Sequence, residues 1–207
     1  MPRGSAPQPL NGRRYIARGT GPQACTHFPM SQKYKTHAGG LYFATMTVTG
    51  WIDLFTRADY ADLVLDGLRH CIRHKGLRVY EFCVMPSHIH LLADLADDDK
   101  LLAHVLRDVK SYTAKELVKL IETHPQESRR PWLLHQLGFE GRHHGQVNKV
   151  WQNGSHPVGL TNPGQIKRCQ HYIRQNPVVA RLVTEAQHYP FSSACPGHGM
   201  PLTELGW

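Results

Sequence analysis

The stretch LRVYEFCVMPSHIHLLADL, residues 77–95, decides the fold. Leu77–Met85 and His88–Leu95 are two apolar, aromatic and β-branched runs separated by Pro86-Ser87, so the stretch reads as two strands joined by a turn. Upstream, Asp59–His74 carries Leu63, Leu65, Leu68 and Ile72 at helical spacing and stops at Gly76. Before it, Leu41–Val48 reads as a strand. Downstream, Asp97–Asp99 suit the positive end of a helix dipole and predict a long helix running to about Thr123. Val150-Trp151 is a short final strand. The order strand, helix, strand, strand, helix, strand predicts an α+β, ferredoxin-like antiparallel sheet with packed helices.

A further helix follows the core. Asn162 suits its cap and Pro163 its first position, and Pro177 should end it at Gln175 or Asn176. Val178–Ala186 reads as another short helix. Residues 1–37 form a basic, Gly- and Pro-rich arm expected to be flexible, 38–194 the main folded domain, 124–150 a loop or insertion within it, and 195–207 a tail.

The 207 residues carry a formal charge of +8 and a pI near 9.4, which points to a polyanionic partner such as nucleic acid. No apolar run approaches the ~20 residues of a membrane helix, and the N-terminus lacks the apolar stretch of a secretory signal, so no membrane association and a cytoplasmic, nucleoid-associated location are expected. Five cysteines without C-x-x-C spacing argue against a zinc site or a disulfide framework.

Two features carry chemistry. His88 and His90 alternate along a strand, so both imidazoles face one side and can share a metal, while Ile89 and Leu91 face the core. On the late helix, Ile166, Cys169 and Ile173 form the buried stripe, and Arg168, Tyr172 and Asn176 share another face at i, i+4 spacing. Read alone, that helix is better explained by a Tyr at the core's edge and Asn176 as a C-cap. Among other tyrosines, Tyr112 falls on the stripe of Leu102, Val105 and Val109 and reads as core. A metal that neutralises a phosphodiester and a tyrosine that attacks it would together make a covalent phosphotyrosine, conserving the bond energy without ATP. Lys110, Arg168 and a metal-bound water are equal candidates for assisting ionisation of the phenol.

These residues resemble a known family. Val84-Met85-Pro86-Ser87-His88-Ile89-His90-Leu91-Leu92 is similar to the HUH signature of single-tyrosine transposases. Trp151-Gln152, the run His171–Val183 and the segment Tyr189–Ala194 resemble the tyrosine region of REP-associated tyrosine transposases. The resemblance spans roughly Leu41 to Ala194. It implies cleavage and rejoining of single-stranded DNA beside a hairpin, a 5′-phosphotyrosine intermediate and Mg²⁺ or Mn²⁺. It makes Tyr172 the nucleophile and His88, His90 and Asn176 the metal ligands. Residues 124–150 and the arm fit the family pattern poorly.

Candidate DNA contacts are Arg13, Arg14, Lys110, Arg129, Arg130, Arg142, Lys149 and Arg168, with Trp51, Trp132 or Trp151 as stacking residues; core packing is the expectation for Trp151. Two other activities fit the same residues: a DNA-hairpin-binding protein without turnover, and a metal hydrolase that activates water at His88 and His90. A homodimer in which one chain's Tyr172 serves the other's histidines is an open arrangement at this level.

Overall fold

A computed structural model describes residue 36 and residues 38–206. The chain divides into two units, Met1–Ser31 and Gln32–Trp207, and every described residue lies in the second. The basic arm, with Arg13 and Arg14, lies outside the described residues apart from Thr36.

The hairpin of residues 77–95 is the centre of the fold. Strands β2 (Leu77–Met85) and β3 (His88–Leu95) pair antiparallel, with Met85 opposite His88 across the Pro86-Ser87 turn. Strand β1 (Tyr42–Thr47) pairs with the other edge of β3, and β4 (Val158–Gly159) with the far edge of β1. The order β2-β3-β1-β4 and the all-antiparallel ladder are those of the expected ferredoxin-like α+β sheet.

One irregularity governs which side chains face which way. The β2–β3 register shifts between Val79 and Glu81, a β-bulge at Tyr80. Leu77 and Val79 before it, and Phe82 and Val84 after it, all reach the hydrophobic core. The extra residue therefore turns Glu81, Cys83 and Met85 to the opposite face of the sheet.

Helices α1 (Ala58–Lys75) and α2 (Leu102–Thr123) pack on each other, and α1 lies on β2 over the core side of the sheet. Gly76 ends α1 in the left-handed conformation, as expected from its position. Helix α2 begins at Leu102 rather than at Asp97–Asp99. Asp97 instead accepts a hydrogen bond from the Asp99 amide at 3.0 Å, a local turn that competes with helix. The inward stripe of α2 continues from Val109 to Thr113, not to Tyr112, which is 55% exposed and so is not the core residue expected. Trp151 is buried as expected and donates its indole N–H to Thr113 Oγ1 at 3.0 Å.

Residues 124–150 are not merely a loop. They contain helix α3 (Arg130–Arg142), which has Pro131 in its first turn and buries Leu133, Leu137 and Gly141 at successive i, i+4 positions. Gly138 and Gly141 weaken the helical signal in the sequence, but Gly141 is needed for packing. A Cβ on Gly141 would lie 2.7 Å from the Gln146 carbonyl oxygen.

Val150-Trp151 forms no strand of its own. The chain from Val150 to Ser155 runs irregularly beside β1, linked by hydrogen bonds from Thr49 N to Val150 O, Gln152 N to Thr47 O and Thr45 N to Ser155 O. Gly154 and His156 at positive φ and the following Pro157 interrupt the ladder, and regular pairing resumes only at β4. The outer edge of β2 is also covered. Val84 N donates to Phe191 O, Ser193 N to Phe82 O and Thr203 N to Val79 O, so the tail packs against the domain.

Helix α4 (Pro163–Val179) contacts β2 and β3 and makes a third layer, on the face away from α1 and α2. Asn162 caps it by accepting from the Gln165 amide at 2.9 Å. It runs past Pro177, contrary to the expected stop. The proline sits in the last turn, where one lost hydrogen bond is tolerated. The helix then ends in a Schellman motif. Arg181 adopts φ 58°, with Leu182 N donating to Pro177 O and Arg181 N to Val178 O. That reversal is why the second helix expected over Val178–Ala186 does not form. Among the described residues no helix is long and apolar enough to cross a membrane.

Candidate active site

His88 and His90 point from β3 toward the α4 side, while Ile89 and Leu91 are fully buried in the core opposite. The two imidazole centroids are 4.7 Å apart at an interplanar angle of 74°. His90 is buried and stacks on Phe43 at 5.4 Å. Its strand partner across the ladder is Thr45, whose Oγ1 lies 3.0 Å from His90 Nδ1. In the tautomer that donates the Nδ1 proton to Thr45, the lone pair of the ring is on Nε2. Ser87 Oγ lies 3.2 Å from His88 Nδ1, and Trp51 meets the His88 ring edge-on at 5.7 Å.

Helix α4 brings Tyr172 over this pair. Its hydroxyl is 3.4 Å from His90 Nε2, and its ring packs against His90 at 5.2 Å and Phe43 at 5.9 Å. The strand imidazoles and the helix phenol therefore meet within one chain. Asn176 is buried one turn further along α4. It is not the C-cap, because the helix continues to Val179 and Ala180 takes that position.

A buried carboxylate holds α4 in register. Glu81, turned to this face by the bulge, accepts Arg174 Nε at 3.0 Å, Arg174 Nη2 at 2.6 Å, Gln170 Nε2 at 3.1 Å and Ser193 Oγ at 2.5 Å. Gln170 and Arg174 are one turn apart and bracket Tyr172. The forked contact raises the already high pKa of Arg174. Glu81→Gln is expected to lower stability by about 1–2 kcal/mol, because the half-exposed Arg174 recovers part of its loss from water. Urea unfolding of the variant checks this. A displaced α4 should also slow any reaction at Tyr172 by roughly tenfold or more.

Burial pushes the His88 imidazole down to about 4, and burial together with the nearby His88 ring holds His90 well below the usual histidine range. Both rings are neutral at neutral pH, the form that offers a lone pair to a metal. The unfolded chain, titrating near ~6.5, takes up these protons more readily. This contribution to stability is therefore complete above about pH 6.5 and is lost as pH falls toward 4. For His88 alone it is on the order of 2–3 kcal/mol. Urea midpoints measured across that interval should fall steeply, and His88→Gln should flatten the slope.

Among the described residues no group of three or more His, Cys, Asp or Glu side chains is placed to hold a metal. The candidate set is two neutral imidazoles and an amide oxygen, which suits a divalent cation of intermediate hardness.

No protein-family profile matches the chain. A curated protein of Haemophilus influenzae, described as "Putative REP-associated tyrosine transposase", is 23% identical over 155 residues, 75% of this chain and 80% of that protein. The chain is thus similar to a REP-associated tyrosine transposase over three quarters of its length. A solved REP-associated tyrosine transposase bound to a REP hairpin shares the fold. It aligns with a TM-score of 0.57 at 18% identity, over 84% of this chain and 94% of that one.

The basic residues proposed from sequence as DNA contacts divide into two groups. Arg129 is engaged by Glu127 and the Asp53 carbonyl, and Arg130 by the Ile121 and His124 carbonyls, where it caps the end of α2. Both serve the fold. Lys110 donates to the Gln152 and Gly154 carbonyls at 2.5 Å, and burial, with Lys149 nearby, lowers it to about 8. Lys110 and Lys149 nevertheless line a cleft of about 690 Å³ with Arg107, Lys115 and the segment Val150–Pro157, and no carboxylate lines it. Arg142 and Arg168 are exposed. Thr45, Glu81 and Arg174 were not singled out from sequence. Thr45 acquires meaning only once it is paired with His90, and Glu81 only once the bulge is known.

Proposed function

We propose that the protein cuts and rejoins single-stranded DNA beside hairpins through a covalent bond to Tyr172, as a transposase of the HUH class. The observation that carries this reading is the 3.4 Å approach of the Tyr172 hydroxyl to His90 Nε2, on the sheet face that His90 shares with His88. The kinship with REP-associated transposases supports DNA as the substrate, and the hairpin bound to the solved relative supports a hairpin beside the cut.

His88, His90 and Asn176 would hold Mg²⁺ or Mn²⁺, which when bound supplies charge neutralisation at the phosphodiester. Tyr172 Oη forms the new bond to phosphorus while the bond to the 3′ oxygen breaks. The phenolic proton is released, the 3′ oxygen leaves as a hydroxyl after taking up a proton, and the 5′ phosphate stays on Tyr172. Attack by another 3′-hydroxyl reverses the exchange and frees the phenol. Phe43 and His90 pack against the Tyr172 ring and limit its rotation, and the Glu81–Arg174 pair holds its helix. Thr45, by accepting from His90 Nδ1, would keep the His90 lone pair on the Tyr172 side. The basic cleft beside Val150–Pro157 suits the phosphates of the flanking strand.

The test uses a labelled oligonucleotide carrying a hairpin and single-stranded flanks from the DNA around the protein's own coding sequence. With Mg²⁺ or Mn²⁺, a protein–DNA adduct should survive denaturation, and digestion should place the nucleotide on the peptide containing Tyr172. Binding without an adduct, or cleavage to a free 5′ phosphate, would sink the proposal in favour of a binder or a hydrolase.

A further inference from the structure

Trp51 has a conformation and a position that the fold does not explain. It ends a single 3-10 turn, Thr49–Trp51, directly after β1, and it is 54% exposed. Its φ is 55° and that of Gly50 is 61°, so two successive residues occupy the left-handed region. Glycine enters that region without penalty, but a bulky aromatic residue does so only under constraint. The half-exposed indole returns little burial energy for that constraint, and Gly or Asn would hold the same turn with less strain.

The turn is nonetheless firmly built. Trp51 N donates to Val48 O, Ile52 N to Thr49 O, Thr49 N to Val150 O, and Val48 N to Ser87 O. Thr49 Oγ1 donates to Glu140 on α3 at 3.2 Å. These bonds fix an indole in solvent with its ring 5.7 Å from that of His88. Backbone strain kept by surrounding bonds beside a reactive group is a pattern of ligand clamps.

We propose that Trp51 is the stacking platform for an unpaired base next to the phosphodiester that Tyr172 attacks. This rests on the function proposed above. A base lies one sugar away from its phosphate, so a phosphate near His88 carries a base within reach of the indole. Stacking on an indole tolerates any base, so Trp51 contributes affinity and placement more than sequence choice.

The test is a cycle between Trp51→Ala and single abasic sites scanned through the single-stranded flank. Binding is read by fluorescence anisotropy of the labelled oligonucleotide in EDTA, where no cleavage occurs. At one position the abasic site should weaken binding to the unmodified protein by roughly 5- to 100-fold, and that penalty should vanish in Trp51→Ala. Trp51→Phe should restore part of it. Trp51→Gly suits the left-handed backbone; it should melt no lower than the unmodified protein and show the same loss of coupling as Trp51→Ala. Abasic penalties that are the same with and without the indole at every position would overturn the proposal. Coupling without any Tyr172 adduct would leave the stacking site standing and remove the catalytic reading; an adduct without coupling would do the reverse.

Discussion

Tyr172→Phe should abolish the covalent protein–DNA adduct, a loss on the order of 10⁴-fold or more, while hairpin binding changes less than about threefold. The substitution removes one oxygen and leaves the ring against Phe43 and His90 in place. The hydroxyl's contact with His90 Nε2 is long, at 3.4 Å, so stability should shift by less than about 1 kcal/mol. A fall in activity can then be assigned to chemistry and not to unfolding. Quantifying the adduct on denaturing gels beside anisotropy binding curves separates the two quantities. If strand cleavage persists in Tyr172→Phe with unchanged metal dependence, water is the nucleophile and the hydrolase reading takes its place.

His90→Ala should lower adduct formation by on the order of 10³-fold and weaken Mn²⁺ binding, measured by calorimetry, to below detection. Among the described residues His90 is one of the two imidazoles proposed as ligands, and its Nε2 is the nitrogen that faces Tyr172. Because its ring is buried and stacked on Phe43, truncation also leaves a cavity, and a stability loss of about 2–4 kcal/mol is expected. Thr45→Val supplies the control for that loss. It keeps both imidazoles and removes only the partner of His90 Nδ1, so metal affinity should fall by about 10- to 100-fold with the fold intact. Unchanged Mn²⁺ affinity in both variants would remove His90 from the metal site.

The sequence was most informative where a short repeat carries the signal. Alternation along residues 88–91 was enough to place two imidazoles opposite Ile89 and Leu91, and the buried stripe Ile166, Cys169 and Ile173 oriented α4. It misled where two local tendencies compete. Pro177 suggested an end that the last turn of a packed helix tolerates. Gly138 and Gly141 hid α3, where Gly141 admits the backbone of residues 146–147. Tyr112 missed the core because the α2 stripe steps by four residues from Val109, not by three.

Local geometry determined from sequence alone that His88 and His90 share a strand face and that Tyr172 and Asn176 share a helix side. Strand and helix periods depend only on a few neighbouring peptides. Tertiary structure decided that these two surfaces face each other. A bulge at Tyr80 turns Glu81 toward Arg174, the β1 register sets Thr45 beside His90, and a strained turn holds Trp51 at His88. Each of these joins residues distant in the chain, and such pairings follow from how the layers pack, which no local repeat records.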